Sequence, residues 1–192
     1  LKLINCQTFE VVSAPENASY VALSYVWGTA TSHYGEPSKE DDGSPSLDPR
    51  IAKTIQDTLV VAKALGYKYL WVDRLCIDQK NAEEKHDQIS QMDSIYGGAD
   101  LTVITACGQD CHYGLPGINA TSRTSQSTVK IGRITIFTST LHPHRRIHSS
   151  KWAERGWTLQ EIVLSTRRVV FTDDQFYFEC NTMHCSESIA PD

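Results

Sequence analysis

Three short runs do most to restrict the fold: Val21-Ala22-Leu23-Ser24-Tyr25, Tyr69-Leu70-Trp71-Val72-Asp73 and Leu101-Thr102-Val103-Ile104-Thr105. Each is apolar along nearly its whole length instead of alternating, which is the pattern of a strand covered on both faces. Between the first two, Ile51, Ile55, Leu59, Ala62 and Leu65 share one face at helical spacing. Asp48-Pro49 is the expected start of that helix and Gly66 its end. Between the second and third, Asn81 with Glu84 three residues on resembles a capping box, and Ile89, Met92, Tyr96 and Ala99 form a second apolar stripe. Gly97-Gly98 weakens the end of that helix. Strand–helix–strand–helix–strand with short links predicts right-handed crossovers and a parallel sheet.

The remaining segments are less regular. Thr29–Ser46, rich in Ser, Gly, Pro and acids, is expected to be a loop, as is Cys107–Thr128. Val129–Thr138 reads as a strand or hairpin arm. Trp152–Ser165 reads as a helix interrupted at Gly156. Arg168–Phe171 is expected to be a further strand, paired with Phe176–Cys180 across a turn. The domain is placed at 1–185, with 186–192 as a linker or tail.

At 192 residues the chain has room for one generous domain. Its 18 basic and 23 acidic residues give a net charge of −5. With only the stretch from His142 to His148 locally positive, a dedicated duplex-DNA surface is disfavoured. No run of about 18 apolar residues is present, so no membrane span is expected. Leu1-Lys2-Leu3-Ile4 is neither a signal peptide nor an initiator start, and a fragment of a longer protein is expected. The six cysteines lack the density of a secreted scaffold, which suggests a reducing compartment. Cys107-x3-Cys111-His112 and Cys180-x3-His184-Cys185 are spaced too widely for the usual tight zinc pairs, so no metal is assigned. No nucleophile elbow, P-loop or dinucleotide glycine fingerprint occurs.

In a parallel sheet, ligands sit outside the carboxyl ends of the strands. Three polar clusters fall there: Ser24-Tyr25-Val26-Trp27-Gly28, Asp73 through Asp78-Gln79, and Thr105 through Gln109-Asp110. Trp71, within an apolar strand, reads as core. Trp27, beside Gly28 at a strand end, reads equally as core or cleft wall. Glu161 stands out because Trp157, Glu161 and Leu164 share a helical face, which places a carboxylate on an apolar stripe. An unpaired ion there would cost several kcal/mol. Either Arg155, Arg167 or Arg168 pairs with it structurally, or the stripe borders a cleft and Glu161 meets a ligand.

Taken together, several segments resemble the motifs of fungal heterokaryon incompatibility (HET) domains. They are Tyr20 to Gly28, Tyr69-Leu70-Trp71-Val72-Asp73-Arg74-Leu75-Cys76-Ile77-Asp78-Gln79, Gln88-Ile89 through Tyr96 to Ala99, Gly114-Leu115-Pro116-Gly117, Arg155-Gly156-Trp157-Thr158-Leu159-Gln160-Glu161 and Phe178-Glu179-Cys180. The match runs in order from about Leu3 to Cys180. This family is similar to TIR domains. The resemblance therefore implies a flavodoxin/TIR-like three-layer α/β sandwich around a mainly parallel sheet, with an inserted loop or hairpin and a C-terminal antiparallel strand pair.

The resemblance also implies a cytoplasmic effector of fungal self/non-self recognition, an innate-immunity device that triggers programmed cell death. Its expected partners are further copies of itself on activation and sensor or repeat domains, with no membrane and no nucleic acid. Many TIR domains hydrolyse NAD through a glutamate, and in plant TIR domains it follows a Trp by four positions, as Glu161 follows Trp157. Glu161 is thereby the expected catalytic residue. Ser24, Tyr25, Trp27, Gly28, Asp73, Arg74, Asp78, Arg155 and Trp157 are the expected substrate-binding set, with NAD as candidate substrate and no cofactor. The competing reading is a TIR-like self-association module that signals without chemistry.

Overall fold

The structure is a computed structural model that describes residues 1–28, 51–138 and 141–187, with the backbone of 37–39 and 45–47. In chain order, strands β1 (Lys2–Asn5), β2 (Val11–Ser13), β3 (Tyr20–Ser24), β4 (Pro37–Lys39) and β5 (Pro45–Leu47) precede helix α1 (Lys53–Ala64). Next come β6 (Tyr69–Val72), the single turn α2 (Asp73–Cys76), α3 (Ala82–Ser90), α4 (Met92–Gly98) and β7 (Leu101–Thr105). The hairpin β8 (Thr128–Ile131) and β9 (Ile134–Phe137) leads to α5 (Pro143–His148), a 3-10 turn (Lys151–Glu154) and α6 (Thr158–Leu164). Strands β10 (Arg167–Phe171), β11 (Phe176–Cys180) and β12 (His184–Ser186) follow.

The three apolar runs form the strands β3, β6 and β7, adjacent in one sheet of order β12-β11-β10-β7-β3-β6-β1-β2. Its centre, β10, β7, β3 and β6, is parallel. The expected antiparallel pair β10–β11 is present. The antiparallel flanks extend further than expected, through β12 on one side and β1–β2 on the other. These edge strands are three or four residues long with mixed polarity, too short for periodicity to reveal. Of the expected tail, Ser186 pairs with Tyr177 in β12, and Glu187 accepts from Arg123 at 2.6 Å. Residues 188–192 lie outside the described residues, as do the helix opening at Asp48-Pro49 and the loop 29–46 apart from the backbone pair β4–β5.

Strand β3 leads through α1 to its neighbour β6, and β6 leads through α3 and α4 to β7 on the other side of β3. The two connections diverge at β3, leaving a crevice between the carboxyl ends of β3 and β7. Helix α4 packs against α6. Both serve the same face of β3: the Tyr20 hydroxyl donates to the Ile95 carbonyl of α4, and Ser24 bonds Glu161 of α6. Beneath α4, Trp71 is fully buried edge-on to Tyr96, ring centroids 5.5 Å apart, a geometry that adds roughly 1 kcal/mol to the area buried.

Helix α1 buries Ile55, Leu59 and Ala62 as the spacing requires, whereas Leu65 caps the helix and is exposed. Gly66, at φ +85°, closes it with paired bonds from Gly66 N–H to the Lys63 carbonyl and from Tyr67 N–H to the Ala62 carbonyl, the arrangement that makes glycine favourable just past a helix end. At α3 the Asn81 side chain accepts from the N–H groups of Glu83 and Glu84 at 3.1 Å. The Glu84 carboxylate does not return the bond; it pairs with Lys2 at 2.7 Å. The expected single helix breaks at Gln91 into α3 and α4, and Ile89 is left exposed. The helix over 152–165 is interrupted at Gly156 as expected: residues 155–157 leave the helical path between the 3-10 turn and α6.

Two further features matter below. Asp57, buried on α1, accepts from Leu115 N–H at 2.8 Å, the Thr121 hydroxyl at 3.0 Å and the Asn119 amide at 2.6 Å. It thereby pins the loop that follows β7. Replacing it with Ala leaves a buried backbone N–H without its acceptor, and Asp57→Ala is expected to lower unfolding stability by about 2 kcal/mol. A urea midpoint unchanged from the native chain would contradict this role. The other feature is the β8–β9 hairpin. Its register sets Val129 opposite Ile136 and Ile131 opposite Ile134, and all four side chains are more than half exposed. One face of this hairpin is therefore an uncovered aliphatic patch.

Candidate functional site

The crevice at the carboxyl ends of the parallel strands opens into a cleft of about 720 Å³, within the range of small-molecule sites. Val26, Trp27 and Gly28 enter it from the end of β3, Asp73, Ile77 and Gln79 from the end of β6, and Gln109 and Asp110 from the end of β7. Lys85, Ile89 and Met92 come from α3 and the start of α4, and Lys151, Arg155, Trp157 and Glu161 from the segment leading into α6.

Glu161 lies at the floor, only 1% exposed. Its Oε1 accepts from Arg155 at 3.2 Å, and its Oε2 accepts from the Ser24 hydroxyl. The Ser24 hydroxyl itself accepts the Trp152 indole N–H at 2.6 Å, which leaves its own proton free to point at the carboxylate. Arg155 also donates to the Tyr25 carbonyl at 2.7 Å, so the guanidinium spans β3 and α6. Glu161 is thus salt-bridged, as one sequence reading had it, and it also borders a cleft, the geometry that the other required. Arg155 is the partner. Arg168 instead donates to the Ile162 and Ser165 carbonyls at the end of α6 and pairs with Glu179 on β11. Arg167 is exposed.

Across the cleft, Trp27 donates its indole N–H to both Asp73 carboxylate oxygens at 3.1 Å, and the Arg74 guanidinium lies 5.7 Å from the Trp27 ring centroid. Trp27 is accordingly a cleft wall. Arg74 N–H also bonds Asp73. Burial pushes the Asp73 carboxyl up to about 6, and the nearby Glu161 charge adds to the rise; the Arg74 N–H, Arg155 and the Trp27 indole oppose it. A carboxyl raised on folding binds a proton more tightly in the native state, so stability is lost as pH rises through the native value. From about pH 4 to about pH 6, Asp73 is expected to lower the stability of the native chain, whereas Asp73→Asn removes that component. Urea midpoints of the two chains at pH 4 and pH 7 should show the variant gaining relative to native at the higher pH. A constant difference would remove Asp73 as the group responsible.

Gly28 holds φ +80°, and a Cβ built there would lie 2.6 Å from the Asp110 Cβ. The backbone turn after β3 therefore brings the loop after β7 to the cleft rim at a distance only glycine allows.

Of the ten residues singled out in the sequence, Trp27, Gly28, Asp73, Arg155, Trp157 and Glu161 line the cleft. Ser24 and Tyr25 lie buried behind it and act through Glu161 and Arg155. Arg74 sits beside Trp27. Asp78 is elsewhere: it is exposed and accepts the Lys80 N–H at 2.9 Å in a turn. Trp157, expected to point inward, is 54% exposed, because it precedes α6 rather than sitting within it. As parts of the site, Lys85, Lys151, Met92 and Trp152 escaped sequence reasoning. Only for Trp152 was there a signal, a tryptophan three residues before Arg155 at the start of an expected helix. Among the described residues no three His, Cys, Asp or Glu side chains converge on a metal position.

The site is a carboxylate-floored cleft at the switch point of a mainly parallel α/β sheet. The sequence model of the heterokaryon incompatibility protein (HET) family matches residues 20–161, a stretch that includes every described residue lining this cleft. The chain belongs to the HET family. It is similar to heterokaryon incompatibility protein 6, OR allele, of Neurospora crassa, with 34% identity over 94 residues, which covers 45% of this chain and 14% of that relative. The chain thus spans a small part of the length of the relative it matches. No solved structure matches it.

Proposed function

We propose that the chain is the effector domain of a fungal self/non-self recognition protein, acting in the cytoplasm to trigger cell death by cleaving the nicotinamide–ribose bond of NAD. The observation that carries this reading is Glu161, a carboxylate buried at the floor of the cleft with each oxygen held by one donor, Ser24 and Arg155. A carboxylate has about four acceptor positions, so both oxygens keep capacity for a substrate hydroxyl. The order of the parallel strands, β6-β3-β7-β10, supports the flavodoxin/TIR-like relationship.

The chemistry asks little of the protein. The C1′–N bond breaks, its electron pair leaves with nicotinamide as a neutral base, and the ribose passes through an oxocarbenium-like state. Glu161 stabilises the positive charge developing on the sugar or holds a ribose hydroxyl beside it. Water adds to C1′ and releases a proton, giving ADP-ribose. Arg155 and Ser24 position the carboxylate, Trp152 sets the direction of the Ser24 proton, and Trp27 and Trp157 offer faces for the flat rings. Asp73, held by Trp27, is available to a ribose hydroxyl.

The second reading is a self-association module without chemistry, favoured by the aliphatic face of the β8–β9 hairpin. Artificial clustering of the purified chain followed by chromatography of NAD, nicotinamide and ADP-ribose separates the two. Stoichiometric nicotinamide and ADP-ribose support glycohydrolysis. Intact NAD, with a clustered chain that still kills cells, overturns it in favour of the scaffold.

A further inference from the structure

Among the described residues, every other charged side chain lining the cleft is committed within the protein. Arg155 pairs with Glu161, Lys151 pairs with Glu154 at 2.5 Å, Asp73 accepts from Trp27, and Asp110 accepts the His112 N–H at 2.8 Å. Lys85 differs. It is half-buried on α3 and lines the cleft, and among the described residues its ammonium has no partner. Its acidic neighbour Glu84 is engaged by Lys2. Lys85 is thus a positive charge at the cleft that no described side chain balances, although the chain as a whole carries a net −5. The position is one that an anion would complete.

The surroundings specify the rest of the ligand. Lys85 and Ile89 lie at i and i+4 on α3 and Met92 opens α4, and all three line the cleft, so Lys85 has apolar neighbours in the cleft wall. Trp157 and Trp27 supply aromatic faces in the same cleft. Flat rings therefore have surfaces to lie against, a sugar has carboxylates to bond, and an anionic group has Lys85.

We propose that the cleft takes a phosphorylated nucleotide and that Lys85 is the residue selecting for its phosphate groups, distinguishing nucleotides from nucleosides. A compact ammonium suits a phosphate as a point charge without demanding bidentate geometry. This rests on the glycohydrolase reading for the choice of a nucleotide, but it makes a separate claim about binding.

Tryptophan fluorescence of the 192-residue chain, clustered as above, reads the test directly, because Trp27 and Trp157 lie in the cleft. The chain is titrated with ADP-ribose and with adenosine, which lacks phosphate. ADP-ribose is expected to bind about tenfold or more tightly than adenosine, and Lys85→Gln to weaken ADP-ribose about tenfold while leaving adenosine unchanged. Lys85→Arg, which keeps the charge, should retain most of the preference. Equal affinities for the two ligands, undiminished ADP-ribose binding by Lys85→Gln, or binding of neither ligand would each overturn the proposal. A chain that selects ADP-ribose through Lys85 yet leaves NAD intact would uphold the phosphate site and overturn only glycohydrolysis.

Discussion

Glu161→Gln is expected to lower nicotinamide release by about 10²–10³-fold, the scale on which removing one electrostatic stabiliser from an active site acts. The substitution keeps the length and planarity of the side chain and removes its charge. The amide oxygen can still accept from Arg155. The amide nitrogen then faces Ser24, whose hydroxyl already accepts the Trp152 indole N–H and has a second lone pair to offer. The fold should therefore survive, which a thermal melt would check. A variant that folds, clusters and releases nicotinamide at the native rate would exclude Glu161 as the catalytic residue. A variant that fails to release nicotinamide yet kills cells as the native chain does would show that killing does not depend on the reaction.

Arg155→Ala is expected to destabilise the native state by about 3 kcal/mol, toward the lower end of what breaking a buried ion pair costs. Arg155 is partly open to solvent, but Glu161 is not. Removing the guanidinium leaves a buried carboxylate with one donor, and the Tyr25 carbonyl loses its bond as well. The double variant Arg155→Ala/Glu161→Gln discriminates between these two losses. A neutral amide needs no counter-charge, so the double variant should recover part of the stability lost in Arg155→Ala. Urea denaturation of the four chains gives the coupling. Additive losses would mean that the pair contributes nothing to stability and that the effect of Arg155 runs through Tyr25 alone.

The parallel core was legible in the sequence because β3, β6 and β7 are apolar on both faces, a pattern few other structures produce. The cleft was legible to the extent that it is built from the polar residues ending those strands: Trp27, Gly28 and Asp73 fell into place from position alone. Two kinds of residue resisted. Asp78 is chemically like Asp73 and five residues away, but α2 turns the chain between them, and a one-turn helix leaves no periodic mark. Lys85 and Lys151 belong to segments whose surface lysines look alike in sequence; only the packing of α3 and the 3-10 turn decides which of them face inward. Trp157 was misplaced for a related reason. Counting Trp157 into the helix after the interruption at Gly156 set it on the inner stripe, whereas α6 begins only at Thr158 and the break over 155–157 brings Trp157 to the mouth of the cleft. Arg155 as the partner of Glu161 could not be separated in sequence from Arg167 and Arg168, since all three lie within reach along the chain.

The bond from Ser24 to Glu161 joins residues 137 apart in the chain. During synthesis at about 5–20 residues per second, the first half of the site waits on the order of ten seconds before the second half exists. The floor of the cleft closes only when β3, β7 and α6 are all in place, so a shorter nascent piece carries the cleft walls without their floor. In a domain proposed to trigger cell death, this long-range closure would serve as a safeguard: a stalled ribosome, a truncated message or a proteolytic fragment that ends before residue 161 yields a chain without its carboxylate.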